Sequence, residues 1–389
     1  MKVGYFTHFN IKVSETFIYD LMVGLDKKTE LIWFSGQPSI NKKILKKQIA
    51  TSYLSYGAVL PLLVLKVFQI KKRLGDKLKN KTRMMLSNYA LNKIHKRDFP
   101  DIAYIEYLTS AVLLRSFLER NNIPYIVHVH GFDISSALIE PEYKKELQKV
   151  FFSVNEVITA SDYIKRLLII EGCPPEKITV IRLGIDGDSI KPLSWECRLK
   201  EPPSVIFLGR LTEKKNPIAL ILAFDIVRKI IPNVKFTIIG DGLLRRDVES
   251  RIKSLGLENY VSLLGALPRE KSFPIMNKHW IYAQHSVTAI SGDKEGYAIS
   301  PAEAAAHELP VVSTIHNGIP EHVIDGETGF LVPEFDYESM AERIIQLIQN
   351  PMLAKKMGRA GRNNILALNN PQKRIDKIYN LLEKHYRLK

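Results

Sequence analysis

A chain of 389 residues is longer than one hydrophobic core ordinarily serves, so two domains are expected. With 46% hydrophobic and 25% charged residues it has the composition of a folded globular protein, and its two cysteines, Cys173 and Cys197, exclude a disulfide framework and a zinc site of Cys/His spacing. The net charge of +15 is concentrated: residues 41–97 carry fifteen Lys or Arg against the single acid Asp76, which leaves the remainder near neutral and argues against a general nucleic-acid binder, since no reading module accompanies the charge.

In chain order, "MKVGYFTHFN" reads as a strand rather than a signal peptide. Short apolar, β-branched runs then alternate with helical segments, the pattern of α/β units around parallel sheets. The first half offers "KVGYF", "ELIWF", "DIAYIEY", "YIVHVHG", "NEVITA" and "KITVIRLG" as strands. The longest apolar run, "AVLPLLVLKVFQI", is broken by Pro61 and Lys66 and is too short to cross a bilayer. Around it, Leu63, Val67, Ile70, Leu74 and Leu78 recur at helical spacing among Lys66, Lys71, Lys72, Arg73, Lys77, Lys79 and Lys81. That is the pattern of a basic interfacial helix able to dock on an anionic membrane surface; a core-facing helix with a solvated charged face is the alternative. The irregular "IDGDSIKPLSWECRLKEPP" is expected to be the interdomain linker, with Asp186 of "DGD" a turn acid rather than a metal ligand. Beyond it lie the strand segments "SVIFLG", "VKFTIIG", "YVSLLG", "HWIYAQ", "LPVVST" and "GFLV", and "PQKRIDKIYNLLEKHYRL" is a helix by its periodicity. The expected organisation is therefore a doubly wound domain over 1–186 with the basic insert 41–97, a second over 204–370, and a helix over 371–389 packing back on the first domain. The carboxyl ends of both sheets, where ligands bind in such folds, would face each other across a cleft.

Three stretches point to chemistry. "SVIFLG" runs into "GRLTEKKNP", where Arg210 and Lys215 are cations at the carboxyl end of a parallel strand, suited to a diphosphate; a solvated loop is the competing reading. In "IIGDGLLRRDVE", Gly240 and Gly242 permit close approach of a ring or a backbone, but the spacing is not GxGxxG, which weakens a dehydrogenase reading. "EGYAISPAEAAAHELPVVST" holds two glutamates eight positions apart. Ser300, Pro301 and Glu303 read as a capping box, while an uncovered helix start there is also an anion site, and Glu295 is left without a capping role. In the first half, His130 closes a strand beside Gly131, and His128 shares its face.

Through "GRLTEKKNP", "GDG", "EGYAISPAE", "LPVVST", "GIPE" and "GETGFLV", in order and spacing over residues 204–335, the chain resembles the family 4 glycosyltransferases of the GT-B fold. "VSETFI" and "HVHGFD" are similar to the subgroup that builds bacterial exopolysaccharide, capsule and lipopolysaccharide, including the colanic acid enzymes; "HFNIKVSETF" stands where many members have a glycine pair. The resemblance implies transfer of a hexose from a nucleoside diphosphate sugar, a UDP-sugar first, to a saccharide acceptor carried on lipid, with retention of anomeric configuration and with neither metal nor cofactor. It implies that Glu295 and His130 contact the donor sugar and that Arg210 and Lys215 meet the diphosphate. Gly209, Gly240, Gly242 and the segment Tyr297, Ala298, Ile299 and Ser300 would line the nucleotide site, with Glu303 on the ribose. Ser14, Glu15 and Thr16 would lie on the acceptor side. A cytoplasmic enzyme resting on the inner membrane face through 41–97 is expected. The alternatives are a nucleotide-sugar epimerase of the same architecture and a non-catalytic basic protein that binds membranes or polyanions.

Overall fold

The structure, a computed structural model, describes residues 1–7, 16–35, 48–50, 91–92 and 94–388. It divides into two compact units, one of Met1–Ala160, Ile164–Ile181 and Gln372–Lys389, the other of Ser161–Tyr163 and Arg182–Pro371. Each segment read above as a strand forms one, and the three-residue strand Gln48–Ala50 is added at one edge.

In the first unit the strands are β1 (Lys2–Thr7), β2 (Glu30–Ser35), β3 (Gln48–Ala50), β4 (Ile102–Glu106), β5 (Tyr125–Val129), β6 (Glu156–Thr159) and β7 (Ile178–Val180). All pairs are parallel, in the order β3-β2-β1-β4-β5-β6-β7. The order reverses between β1 and β4, the switch point beside which such sheets bind ligands. β4 and β5 are buried along their whole length, which explains their near-continuous apolar sequences and makes each polar residue in them conspicuous.

The helix Pro371–Arg387 completes this unit. Its residues Arg374, Ile378, Leu382 and His385 recur on one face and are all buried. Ile378 and Leu382 join the core with Val3, Met22 and Trp33. An Arg374 Nη1 donates to the Phe17 carbonyl at 2.9 Å, and His385 Nε2 lies 3.0 Å from Glu156 Oε2.

In the second unit β8 (Ser204–Leu208), β9 (Lys235–Ile239), β10 (Val261–Leu263), β11 (Ile281–Gln284), β12 (Val311–Thr314) and β13 (Gly329–Val332) are likewise all parallel, in the order β10-β9-β8-β11-β12-β13. The switch point falls between β8 and β11. After β8 the chain turns into the helix Pro217–Ile230, capped by Asn216, whose φ of 38° and side chain accepting the Ala219 N–H satisfy the helix start, with proline at the first helical position. Phe207, Phe224, Phe236 and Val312 belong to the core between sheet and helices.

The segment expected to be the interdomain linker is part of this second unit. Its prolines and charges signalled irregular chain correctly, but Ile185, Ile190 and Trp195 are buried apolar anchors. Arg198, fully buried, donates to the carbonyls of Asn277, Glu308 and His307. The chain passes between units at Ile181 and Arg182 instead. Asp186 is a turn acid, accepting the Ser189 N–H at 3.3 Å. No helix among the described residues is long and apolar enough to cross a membrane.

Candidate active site

The second unit gathers one set of the expected residues around the carboxyl ends of β8 and β11. Gly209 follows β8, Arg210 comes next with an exposed side chain, and the following turn carries Lys215 inward. Lys215 Nζ lies 2.6 Å from Glu295 Oε2 and 3.2 Å from Gln284 Oε1, with the lysine only 7% exposed. Burial pushes the Glu295 carboxyl up, but the charges of Lys215 and Lys214 and the hydrogen bond from Lys215 outweigh it and hold the group at about 2. Burial draws the Lys215 ammonium below its ordinary value, Glu295 opposing. Glu295 is therefore ionised at neutral pH.

Two residues that the sequence reading passed over hold this pair in place. Gln284, at the end of β11, offers Oε1 to Lys215, to the Tyr282 hydroxyl at 2.8 Å and to the Ser300 hydroxyl at 3.3 Å. His316 accepts the Glu295 N–H on Nε2 at 3.1 Å. That leaves its ring proton on Nδ1, which lies 2.5 Å from Glu334 Oε1. Burial lowers the His316 pKa, so the neutral tautomer that accepts from Glu295 is the resident one. A lone polar residue closing a buried strand was the available signal for Gln284; nothing local marked His316.

The helix carrying Glu303 starts earlier than its capping signal suggests. It spans Ile299–Ala306 with Ala298 at the cap position and no side-chain cap. The Ser300 hydroxyl goes to Gln284, and Glu303 Oε1 accepts from Arg269 Nη2 at 2.8 Å. The expected capping box is thus absent: with Ala298 as cap, Pro301 occupies the third helical position and has no N–H for a cap to satisfy. The amides of the first helical turn, next to Tyr297 and Ala298, are left to meet another acceptor. Gly240 and Gly242 serve close packing of backbone. A Cβ on Gly240 would stand 1.8 Å from the Gly209 carbonyl oxygen, and one on Gly242 would stand 2.4 Å from that of Leu211.

In the first unit, His130 lies one residue past β5, its side chain 8% exposed, while His128 within the strand is fully buried. Asp133 Oδ1 accepts the N–H groups of His130 and Gly131, at 3.1 and 3.0 Å, and its Oδ2 accepts that of Leu108 at 2.9 Å, tying the ends of β4 and β5 together. The rings of Tyr107 and Phe17 lie 4.6 and 5.2 Å from the His130 ring. Glu106 Oε2 lies 2.5 Å from His130 Nε2, the Tyr5 hydroxyl donates to Glu106 Oε1, and Tyr104 meets His128 Nδ1 at 2.8 Å. Burial, with His130 and Arg374 adding to it, keeps His128 neutral. Glu106, His128 and His130 offer ligand-type atoms within 4.8 Å of one another, the group among the described residues that could hold a metal ion. The hydrogen bonds form two sets, Tyr5–Glu106–His130 and Tyr104–His128, with His128 Nδ1 3.8 Å from Glu106 Oε2. Ser14 and Glu15, and nearly all of the basic insert including its apolar stripe, lie outside the described residues; Thr16 opens the helix Thr16–Asp26.

Two parallel doubly wound units define a GT-B glycosyltransferase fold, and solved structures agree. Sucrose-phosphate synthase of Thermosynechococcus elongatus superposes with a TM-score of 0.81 at 17% identity, covering 100% of both chains. HepE of Anabaena, solved with UDP and glucose, superposes with a TM-score of 0.76 at 19% identity, over 99% of this chain and 100% of its own. The profile of the Glycosyltransferase Family 4 matches residues 15–189 and that of Glycosyl transferases group 1 matches residues 194–364, so each half of the chain is similar to a glycosyltransferase domain. Similar curated proteins are the amylovoran biosynthesis glycosyltransferase AmsK of Erwinia amylovora, 36% identical over 57% of this chain and 54% of its own length. The putative colanic acid biosynthesis glycosyltransferase WcaL of Salmonella typhimurium is 33% identical over 61% of this chain and 58% of its own. The chain thus spans a little over half the length of these curated relatives.

Proposed function

We propose that this protein transfers a hexose from a nucleoside diphosphate sugar, a UDP-sugar first, to a lipid-linked saccharide in exopolysaccharide, capsule or lipopolysaccharide synthesis. Transfer proceeds with retention and without a metal. The observation that carries the reading is the Lys215–Glu295 ion pair at the carboxyl ends of β8 and β11, beside an uncapped helix start. A carboxylate beside an ammonium suits a donor whose sugar offers hydroxyl donors and whose phosphates need cations. As the bond from the anomeric carbon to the diphosphate oxygen breaks, negative charge grows on the leaving phosphate. Lys215, Arg210 and the helix amides stabilise it there. The acceptor hydroxyl forms the new bond to that carbon and passes its proton to a leaving phosphate oxygen. Glu303, already a hydrogen-bond acceptor for Arg269, exchanges that partner for the ribose hydroxyls. The roles that AmsK and WcaL are named for, in amylovoran and colanic acid synthesis, support the polysaccharide context.

A thermal-shift panel of UDP-glucose, UDP-galactose and GDP-mannose tests the reading. Ligand at about a hundred times its Kd adds about 2.7 kcal/mol to the native state, a rise of several degrees in Tm. A flat panel would remove the donor site. Proton NMR of the product made in EDTA should show the donor's anomeric configuration; an inverted linkage, or an epimerised donor with no acceptor joined, would sink the retaining-transferase reading. The same proposal seats residues 41–97 on an anionic leaflet through their fifteen cations. Co-sedimentation with phosphatidylglycerol vesicles at low salt should be lost when Lys71, Lys72, Arg73, Lys77 and Lys79 become glutamine. Equal binding by both proteins would dismiss the docking.

A further inference from the structure

Five polar side chains, Tyr5, Tyr104, Glu106, His128 and His130, meet on one face of the first sheet at the carboxyl ends of β1, β4 and β5. Register and alternation place them there. Tyr5 stands opposite Tyr104 and Glu106 opposite His128, while Glu106 and His130 each lie two residues beyond a member of the same face. A carboxylate with no solvent exposure persists only when its oxygens are engaged. Each Glu106 oxygen has a hydrogen-bond partner, the Tyr5 hydroxyl on Oε1 and His130 Nε2, at 2.5 Å, on Oε2, and His128 Nδ1 lies 3.8 Å from Oε2 as well. Burial, then the charge of Glu106, raises the Tyr5 hydroxyl well above its usual range, so it remains a donor. A carboxylate oxygen facing Nε2 serves as acceptor, which puts a ring proton on His130 Nε2 and leaves Nδ1 as the ring nitrogen not engaged by Glu106.

We propose that Glu106, with Tyr5 behind it, is a positioning residue for His130: it fixes the tautomer and torsion of the imidazole so that Nδ1 is the atom offered to a hydroxyl of the donor sugar. This rests on the transferase reading for the identity of what Nδ1 meets. Asp133 already fixes the His130 backbone, and Tyr107 and Phe17 flank the ring, so the torsion about the side chain is the freedom left for Glu106 to remove. Glutamine in place of Glu106 would have one acceptor oxygen for two donors. Tyr5 and His130 would compete for it, and removing the tyrosine hydroxyl would end the competition.

The test uses the full chain labelled with 15N at histidine, with the His130 signals assigned by their loss in His130→Asn, together with turnover of UDP-glucose or of whichever sugar nucleotide gives the largest thermal shift. The wild-type His130 should show one tautomer, protonated on Nε2. Glu106→Gln should mix the tautomers and lower kcat by about 10-fold to 100-fold, the scale for a misplaced catalytic contact, with the donor KM close to wild type. Tyr5→Phe combined with Glu106→Gln should restore the single tautomer and most of kcat. If Glu106 only supported the fold, Glu106→Gln would lower Tm and leave both the His130 signals and kcat per folded molecule unchanged; that result overturns the proposal. A His130 tautomer that depends on Glu106 in a chain that turns over no sugar nucleotide would keep the positioning role and sink the transferase reading instead.

Discussion

Glu295→Ala is expected to lower kcat by about 100-fold to 1000-fold, the scale for losing one contact to charge that develops in the transition state. The variant removes a carboxylate and also leaves Lys215, which is 7% exposed, with the neutral Gln284 as its side-chain polar partner among the described residues. Breaking a buried pair from one side typically costs about 3 to 5 kcal/mol, so some loss of stability should accompany the loss of turnover. Glu295→Gln separates the two effects. It keeps an oxygen for Lys215 and the shape of the site but not the charge, so it should melt closer to wild type than the alanine variant while remaining slow. The pH dependence follows from the sign of the shift. Glu295 is held at about 2, below its unfolded value, so its contribution to stability is fully present above the unfolded value, about 4.3, and is lost as pH falls through about 2. Its protonation should therefore leave no limb in the pH profile of kcat above pH 5. Wild-type turnover in Glu295→Ala, measured by steady-state kinetics on folded protein, would take the residue out of the mechanism.

Gly240→Ala should be the most damaging single-methyl change in the second unit. The added Cβ would stand 1.8 Å from the Gly209 carbonyl oxygen, a backbone atom that cannot rotate away, at a φ of 155° that L side chains rarely adopt. Overpacking together with backbone strain costs about 3 kcal/mol or more. At about 2 to 4 °C per kcal/mol for a body of this size, Tm should fall by roughly 10 °C. The clash also separates the turns after β8 and β9, which are joined by the Leu211 N–H on the Asp241 carbonyl, so Arg210 and Lys215 move and donor-induced stabilisation should vanish. Gly256→Ala is the control: its φ is +64°, but nothing lies within 4 Å of the added carbon, and it should cost only the about 1 to 2 kcal/mol of a left-handed residue. Equal melting of the two variants would show that contact at Gly240 does not matter.

The strands and the residues at their ends were legible in the sequence because burial on both faces writes a strand as an apolar run, and the polar residue after it marks where ligands bind. Lys215 and His130 were singled out that way, whereas Glu295 was singled out by its spacing from Glu303 across a helix start and by the family resemblance. What escaped were partnerships between distant segments. Glu106 and His130 come together only because β4 and β5 are neighbours, and Glu295 meets His316 only because β12 follows β11 in the sheet. The capping box failed for a different reason: Ser300 had a stronger claim on it from Gln284, which no local pattern announces. The supposed linker misled because proline and charge describe a chain's irregularity, whereas Trp195 and Ile190 decide that it packs.

The second unit is inserted, in the order of the chain, between the first unit's sheet and the helix that finishes it. Val3, Met22 and Trp33 share their core with Ile378 and Leu382, residues translated only after the whole of the second unit. Chains generally fold as they emerge from the ribosome, amino-terminal domain first. Here the unit begun first matures last: its apolar face waits, uncovered by Ile378 and Leu382, while the second unit is made and can already fold. The interval of greatest exposure to aggregation or to a chaperone is thus set by the time the ribosome takes to cross Arg182–Pro371.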